Sequence, residues 1–247
     1  MIKILCILFC ISISLYKASH TNIRGLQTIL NVVPTTQNIK ILGNAATYSV
    51  LAGSRITNQG NTIMFGDMGT YPSYDMDGDN CKMLCGSKQQ GNSRAENAQI
   101  SSTKAYIYLT GLKGTDYTGR DLQGLILYPG VYSYTSSAFL SEGILTLDAQ
   151  GNSKAEWVFQ IVSTLITSIG SEVRVINGGS PYNVYWKVGS SATISQDTKM
   201  VGNIIALTSI TLESNISLMG RALACNGAVT MVSVNVRCGG SCKKKNN

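Results

Sequence analysis

The chain has 247 residues, of which 44% are hydrophobic and 13% charged, with 25 glycines and a formal net charge of +7. Ordinary globular domains carry roughly 25% charged residues, so this is a low-charge, β-type composition with ample apolar material for a core. It is not a disordered polyelectrolyte. No run of about 20 apolar residues follows the N-terminus, which excludes a multi-span membrane protein.

In chain order, Lys3, the apolar run from Ile4 to Leu15 and the small residues Ala18 and Ser19 read as a secretory signal over residues 1–20. An uncleaved anchor is the weaker reading because the run is shorter than a bilayer span. Cleavage removes Lys3 and Lys17, lowering the formal charge by two. The single histidine, His20, sits beside the cleavage point, which argues against any mechanism needing an imidazole base or ligand. Residues 21–41 form a lead-in, 42–236 the folded domain, and 237–247 a Cys/Lys-rich tail ending in Lys243-Lys244-Lys245. The mild, scattered positive charge defines neither a nucleic-acid nor a membrane partner.

Export implies an oxidising compartment. The cysteines outside the signal are Cys81, Cys85, Cys225, Cys238 and Cys242, with Cys81/Cys85 and Cys238/Cys242 as local disulfide candidates. As zinc ligands these C-x3-C pairs are loosely spaced, so no metal or other cofactor is expected.

Ser54-Arg55-Ile56-Thr57 looks like an early copy of a strand that recurs near the C-terminus; stacking with those copies requires the chain to leave the repeat and return. Residues 71–92 are expected to be a disulfide-pinned loop capping one end and shielding open sheet edges. Asp75, Asp77 and Asp79 imitate the opening of a calcium loop, but Asn80 and Gly86 stand where the loop needs Gly and Glu, so a polar turn is the reading. A helix is predicted over about 93–111. Ser93 and Glu96 make a capping box, and Ala95, Ala98, Ser102, Ala105, Leu109 and Leu112 share one face ending at Gly111 and Gly114. Its small alanines allow close packing along a wall.

The repeat itself lies downstream. Ser191-Ala192-Thr193-Ile194 recurs 18 residues later as Ser209-Ile210-Thr211-Leu212, and 18 later again as Gly227-Ala228-Val229-Thr230. Gly202-Asn203-Ile204-Ile205-Ala206 recurs at the same offset of 18 as Gly220-Arg221-Ala222-Leu223-Ala224. Two separate strand-like segments sharing one short period indicate coils of several strands stacked on each other, a β-solenoid. Ser163-Thr164-Leu165-Ile166-Thr167 joins the pattern at an offset of 27, with a loop inserted around Asn177 to Asn183.

Strand alternation assigns sides. Ile56, Leu165, Ala192, Ile210 and Ala228 point inward. The outward columns are Arg55, Thr164, Ser191, Ser209, Gly227 and Thr57, Ile166, Thr193, Thr211, Val229. Rungs about 4.8 Å apart turn these into a flat ladder, on which methyl groups restrict nearby water while hydroxyls and backbone anchor it. Thr and β-branched residues also favour strands without any ligand, so the pattern alone fits a plain solvated face equally well.

Leu42-Gly43-Asn44-Ala45-Ala46-Thr47-Tyr48-Ser49-Val50-Leu51-Ala52-Gly53-Ser54, Gly66-Asp67-Met68-Gly69, Leu127-Tyr128-Pro129-Gly130-Val131-Tyr132, Trp157-Val158-Phe159-Gln160-Ile161, Trp186-Lys187-Val188-Gly189-Ser190-Ser191-Ala192 and Gly220-Arg221-Ala222-Leu223-Ala224 resemble the secreted ice-binding (antifreeze) family of cold-living microbes. The resemblance implies a mainly β, right-handed discontinuous β-solenoid of triangular section with one long α-helix alongside. It implies a monomeric protein whose partner is the ice crystal surface, with inhibited ice growth and recrystallisation. On this chain the ice-contacting candidates are Thr57, Thr164, Ile166, Ser191, Thr193, Ser209, Thr211 and Val229. Arg55 and Glu213 depart from a smooth plane, and Lys187 stands where the family has glutamine, as an exposed change.

No G-x-S-x-G elbow or phosphate-cradling glycine loop is present, and Asp148, Glu156, Glu172, Asp197 and Glu213 share no column, so the chain does not read as an enzyme. A secreted structural or carbohydrate-binding solenoid without ice affinity is the alternative. The sequon Asn215-Ile216-Ser217 would set a glycan beside the proposed face.

Overall fold

The structure, a computed structural model, describes residues 41–77 and 80–239. The signal segment, nearly all of the lead-in, and the tail with Cys242 and Lys243 to Lys245 lie outside the described residues.

The chain forms strands β1 (Tyr48–Ala52), β2 (Arg55–Gln59), β3 (Thr62–Phe65), β4 (Asp67–Thr70), β5 (Asp75–Asp77), β6 (Cys81–Cys85) and β7 (Lys88–Gln90). Helix α1 (Ser93–Thr110) follows, and then β8 (Thr115–Asp116), β9 (Ile126–Leu127), β10 (Gly130–Tyr134), β11 (Ala138–Leu140) and β12 (Ile144–Asp148). The remaining strands are β13 (Trp157–Ile161), β14 (Leu165–Thr167), β15 (Glu172–Ile176), β16 (Val184–Val188), β17 (Ala192–Ile194), β18 (Lys199–Ala206), β19 (Ile210–Ser214), β20 (Ser217–Ala224), β21 (Val229–Val232) and β22 (Asn235–Arg237). Every pairing among the described strands is parallel. Three strands make one turn, as in β13, β14 and β15, and each strand pairs with its equivalent in the next turn. This is the solenoid that the 18-residue repeat predicts.

The interruption is resolved as the early copy required. β2 pairs with β21, setting Ile56 against Val229, while β1 pairs with β20 and β3 with β22. The N-terminal turns therefore stack on the C-terminal ones. β7 ends that stack, and α1 carries the chain back to β8 at the opposite end. Nine strands from β7 to β8 on that side span about 38 Å at ~4.8 Å spacing. The 18-residue helix covers about 27 Å of it, with short connectors making up the rest.

Residues 71–92 differ from expectation. Instead of a capping loop they supply β5, β6 and β7, a further turn in register with β2, β3 and β4. Cys81 and Cys238 are thiols, so neither local bridge forms. Geometry explains the first: Cys81 and Cys85 occupy one strand, where four residues separate their Cα atoms by about 13 Å, twice the reach of a disulfide. Burial pushes the Cys81 thiol pKa up. Cys238 is buried, its Sγ donating to the Phe65 carbonyl at 3.0 Å.

Corners are set by backbone conformation. β18 and β20 are long because each bends through a corner at Gly202 (φ +105°) or Gly220 (φ +159°). A Cβ at Gly220 would lie 1.8 Å from the Gly202 carbonyl oxygen, so the stacked turns meet at a distance only glycine permits. At another corner a left-handed residue recurs turn by turn, with Asp197, Asn215 and Ser233 at φ +59°, +61° and +50°; short polar residues tolerate that conformation better than branched ones. Inside, Tyr132, Phe159 and Trp186 stack in successive rungs, with ring centroids 5.5 and 4.1 Å apart.

Helix α1 buries Ala95, Ala98, Ser102, Ala105 and Leu109 as the pattern predicts, together with Gln99 and Tyr106. Leu112 is only half-buried. Its N-cap is Asn92, whose Oδ1 accepts from the Ala95 N–H at 3.0 Å, rather than Ser93. Glu96 is drawn off to accept from the Tyr71 hydroxyl at 2.5 Å, which leaves the capping box unmade. Lys187 is not exposed: only 7% of it is accessible. The outward side of its strand faces the helix, and its Nζ lies 4.7 Å from the Tyr106 ring centroid.

Candidate functional site

Three faces result. One is covered by α1. A second runs through β12, β15, the first halves of β18 and β20, β22, β3 and β6, and it displays Arg174, Lys199, Arg237 and Lys82. The third is a separate seven-stranded parallel sheet in the order β11-β14-β17-β19-β21-β2-β5.

On the third face the inward column is Ala138, Leu165, Ala192, Ile210, Val229 and Ile56, all fully buried. Val229 is therefore a correction. Ile210 pairs with Val229 and Thr211 with Thr230, so this rung repeats at 19 residues rather than 18. The turn before β21, through Cys225, Asn226 and Gly227, holds the extra residue. Ala228 and Thr230 become the outward residues, and Val229 leaves the candidate surface. The triplet apolar-Thr-apolar in Ala192-Thr193-Ile194, Ile210-Thr211-Leu212 and Val229-Thr230-Met231, with Ile56-Thr57 followed by a buried Asn58, carries this register; the signal in the sequence is that Val229 and Met231, not Ala228 and Thr230, match the buried pattern.

The central outward column now reads Phe139, Ile166, Thr193, Thr211, Thr230, Thr57 and Asp77. Four threonines stand on adjacent strands and span about 14 Å at ~4.8 Å spacing. Their side chains are half-exposed. Among the described residues the hydroxyls of Thr193, Thr211 and Thr230 make no hydrogen bond to protein, while Thr57 Oγ1 accepts from Arg55 Nε at 3.2 Å. Ile166 and Phe139 continue the row as exposed apolar groups.

Thr164, Ser191 and Ser209 form the neighbouring column, and their hydroxyls are spent between rungs. Thr164 Oγ1 shares a 2.7 Å hydrogen bond with Ser137 Oγ, Ser191 Oγ accepts from Ser209 N at 3.3 Å, and Ser209 Oγ accepts from Ala228 N at 3.2 Å. This column stiffens the sheet more than it presents free hydroxyls. The two charged departures are tied aside. Arg55 pairs with Asp75 at 3.3 Å, and Glu213 Oε2 accepts from Gln196 N at 3.0 Å in the turn.

A rigid plane with one regular column of methyl and hydroxyl groups suits adsorption to an extended, ordered surface, and so defines a binding protein of solenoid type. The chain belongs to the ice-binding-like family, which matches residues 50–237. It is 44% identical over 196 residues to an ice-binding protein of Nostoc sp. (strain HG1), covering 78% of this chain and 72% of that one. Its fold superposes on the crystal structure of an ice-binding protein from the Antarctic ascomycete Antarctomyces psychrotrophicus with a TM-score of 0.77 at 34% identity, covering 81% of this chain and 98% of that one. An ice-binding protein from an Antarctic biological consortium gives a TM-score of 0.77 at 38% identity, covering 83% and 95%.

Proposed function

We propose that this protein adsorbs to ice and inhibits its growth and recrystallisation through the threonine row Thr193-Thr211-Thr230-Thr57, flanked by Ile166. The observation that carries the reading is the pairing of these threonines on four consecutive parallel strands. Water beside such a row is restricted by each methyl group and anchored by each hydroxyl, at a repeat fixed by the backbone. Family membership and the named activity of its relatives support ice as the partner. The second face offers a poorer plane because long cationic side chains rise from it.

Residues 42–236 constitute the ice-binding domain of a monomer that works as a binder rather than an enzyme. The secretory signal read over residues 1–20 supports a place outside the cell. The test is incorporation of fluorescently labelled protein into a growing ice hemisphere. Labelling of the ice is expected for the parent and exclusion for Thr211→Tyr, whose ring breaks the plane. Exclusion of the parent would return the protein to the class of solenoids without ice affinity.

A further inference from the structure

The second face carries its own pattern. Arg174 on β15, Lys199 on β18, Arg237 on β22 and Lys82 on β6 are all exposed, and five strand spacings separate the first from the last along the order β15-β18-β20-β22-β3-β6. At ~4.8 Å per strand the cations occupy a band about 24 Å long parallel to the solenoid axis, Lys199 and Lys82 in one register column and Arg174 and Arg237 in the next outward column two residues along, about 7 Å away. One carboxylate, Glu172, offsets one of the four charges and leaves an excess of three on these strands. Glu172 is held by Arg174 at 2.8 Å and by Lys199 at 3.8 Å, which lowers its pKa. Asp148, on neighbouring β12, accepts from Gln150 N and Asn177 Nδ2 at the far corner.

Between the cations lie exposed apolar groups, Met219 and Ile63, and the Arg237 guanidinium sits 4.2 Å from the Phe65 ring centroid, its partner in register on β3. The guanidinium and ring make a flat platform that can both pair with a carboxylate and accept the C–H face of a sugar ring.

We infer that this second face binds a linear, carboxylated polysaccharide, laid along the solenoid axis with its acid groups on the two cation columns and its pyranose faces on the apolar groups between. A linear polyanion with acid groups on alternating sides matches a narrow two-column band on a flat sheet. Nucleic acid is disfavoured because the face offers neither a helix or ribbon to enter a duplex groove nor a trough with stacking platforms for successive bases. A polysaccharide held here leaves the threonine face free, so the protein can be retained in an acidic matrix while its other side meets ice.

The test is retention of the full chain on immobilised polygalacturonate compared with neutral dextran. Retention on the acidic polymer alone, eluted by salt, is expected for the parent and for Thr211→Tyr. The double variant Lys82→Glu/Arg237→Glu should bind at least about tenfold more weakly and still label ice like the parent. As a readout that needs no variant, soluble polygalacturonate should protect Lys82 and Lys199 from amine acetylation mapped by mass spectrometry. The inference is overturned if the parent is not retained, if the double variant is retained equally, or if the lysines are unprotected. Equal retention on duplex DNA or on phosphatidylglycerol vesicles also overturns it, as does loss of binding in Lys243→Gln/Lys244→Gln/Lys245→Gln that matches the double variant. Failure here leaves the ice-binding reading intact, since that rests on another face and another assay.

Discussion

Thr230 lies opposite Thr211 on the neighbouring strand, while Val229 turns into the core opposite Ile210. The two facts are one register. Together they extend the outward row without a break from Thr193 through Thr211 and Thr230 to Thr57. Thr230→Tyr is therefore expected to abolish recrystallisation inhibition as fully as Thr211→Tyr. Val229→Thr should instead cost about 1–3 kcal/mol of stability by burying a hydroxyl, with activity retained at temperatures where the variant is folded. Denaturation curves paired with recrystallisation assays distinguish the two effects.

Ser217 and Met219 are exposed on the cationic face. Ser217→Tyr and Met219→Tyr should leave ice shaping and recrystallisation inhibition at the parent level. If they abolish activity while Thr211→Tyr does not, the ice-binding plane belongs on that face and the threonine row is structural.

Gly220→Ala places a methyl group against the Gly202 carbonyl of the preceding turn. Backbone cannot yield there without parting two stacked strands, so a loss of about 2–4 kcal/mol is expected from the clash and the strained backbone. Urea unfolding followed by circular dichroism measures it.

Burial pushes the hydroxyl pKa of both Tyr132 and Tyr185 up to about 12. In the unfolded chain these groups ionise near pH 10. Between the two values the unfolded state has released protons that the folded state retains, so stability falls as pH rises. The contribution is complete below about pH 10 and is lost progressively as pH rises through about 12. Thermal melts from pH 8 to pH 12 should show a plateau followed by this decline. A midpoint that stays level to pH 12 would mean these hydroxyls are not desolvated.

Cys81→Ser removes a thiol rather than half of a bridge. The cost should be below about 1 kcal/mol, against the 2–5 kcal/mol typical of losing a native disulfide in a small secreted domain. Calorimetry under non-reducing conditions decides it, and a fall of the larger size would establish a bridge at Cys81.

Much of the architecture was legible because it is written in local, repeated signals. Ser209-Ile210-Thr211-Leu212 repeats Ser191-Ala192-Thr193-Ile194, and strands that repeat at a fixed offset can satisfy their backbones by stacking. Ala95, Ala98, Ala105 and Leu109 fall on one side of a helix by periodicity alone, and that side is buried. Ser54-Arg55-Ile56-Thr57 announced its place in the sheet from far upstream for the same reason.

The misreadings share a different cause. Residues 71–92 lack strong alternation, and only pairing with β2, β3 and β4 makes them strands. Lys187 looks like a surface residue until α1 is laid over it. Cys81 and Cys85 look like a pair until an extended strand separates them. In each case the deciding interaction comes from a part of the chain remote in sequence.

By itself, then, the sequence determined the solenoid, its helix and the family, since period and polarity act between near neighbours and survive in a single chain read linearly. Only the tertiary structure decided which residues form the working plane. One additional residue in the turn before Val229 inverts the side chains from Val229 to Met231, because consecutive residues of a strand point to opposite sides, until the offset returns to 18 at Val232; the choice between the two registers is made by what packs against Ile210 and Ile56 in the core.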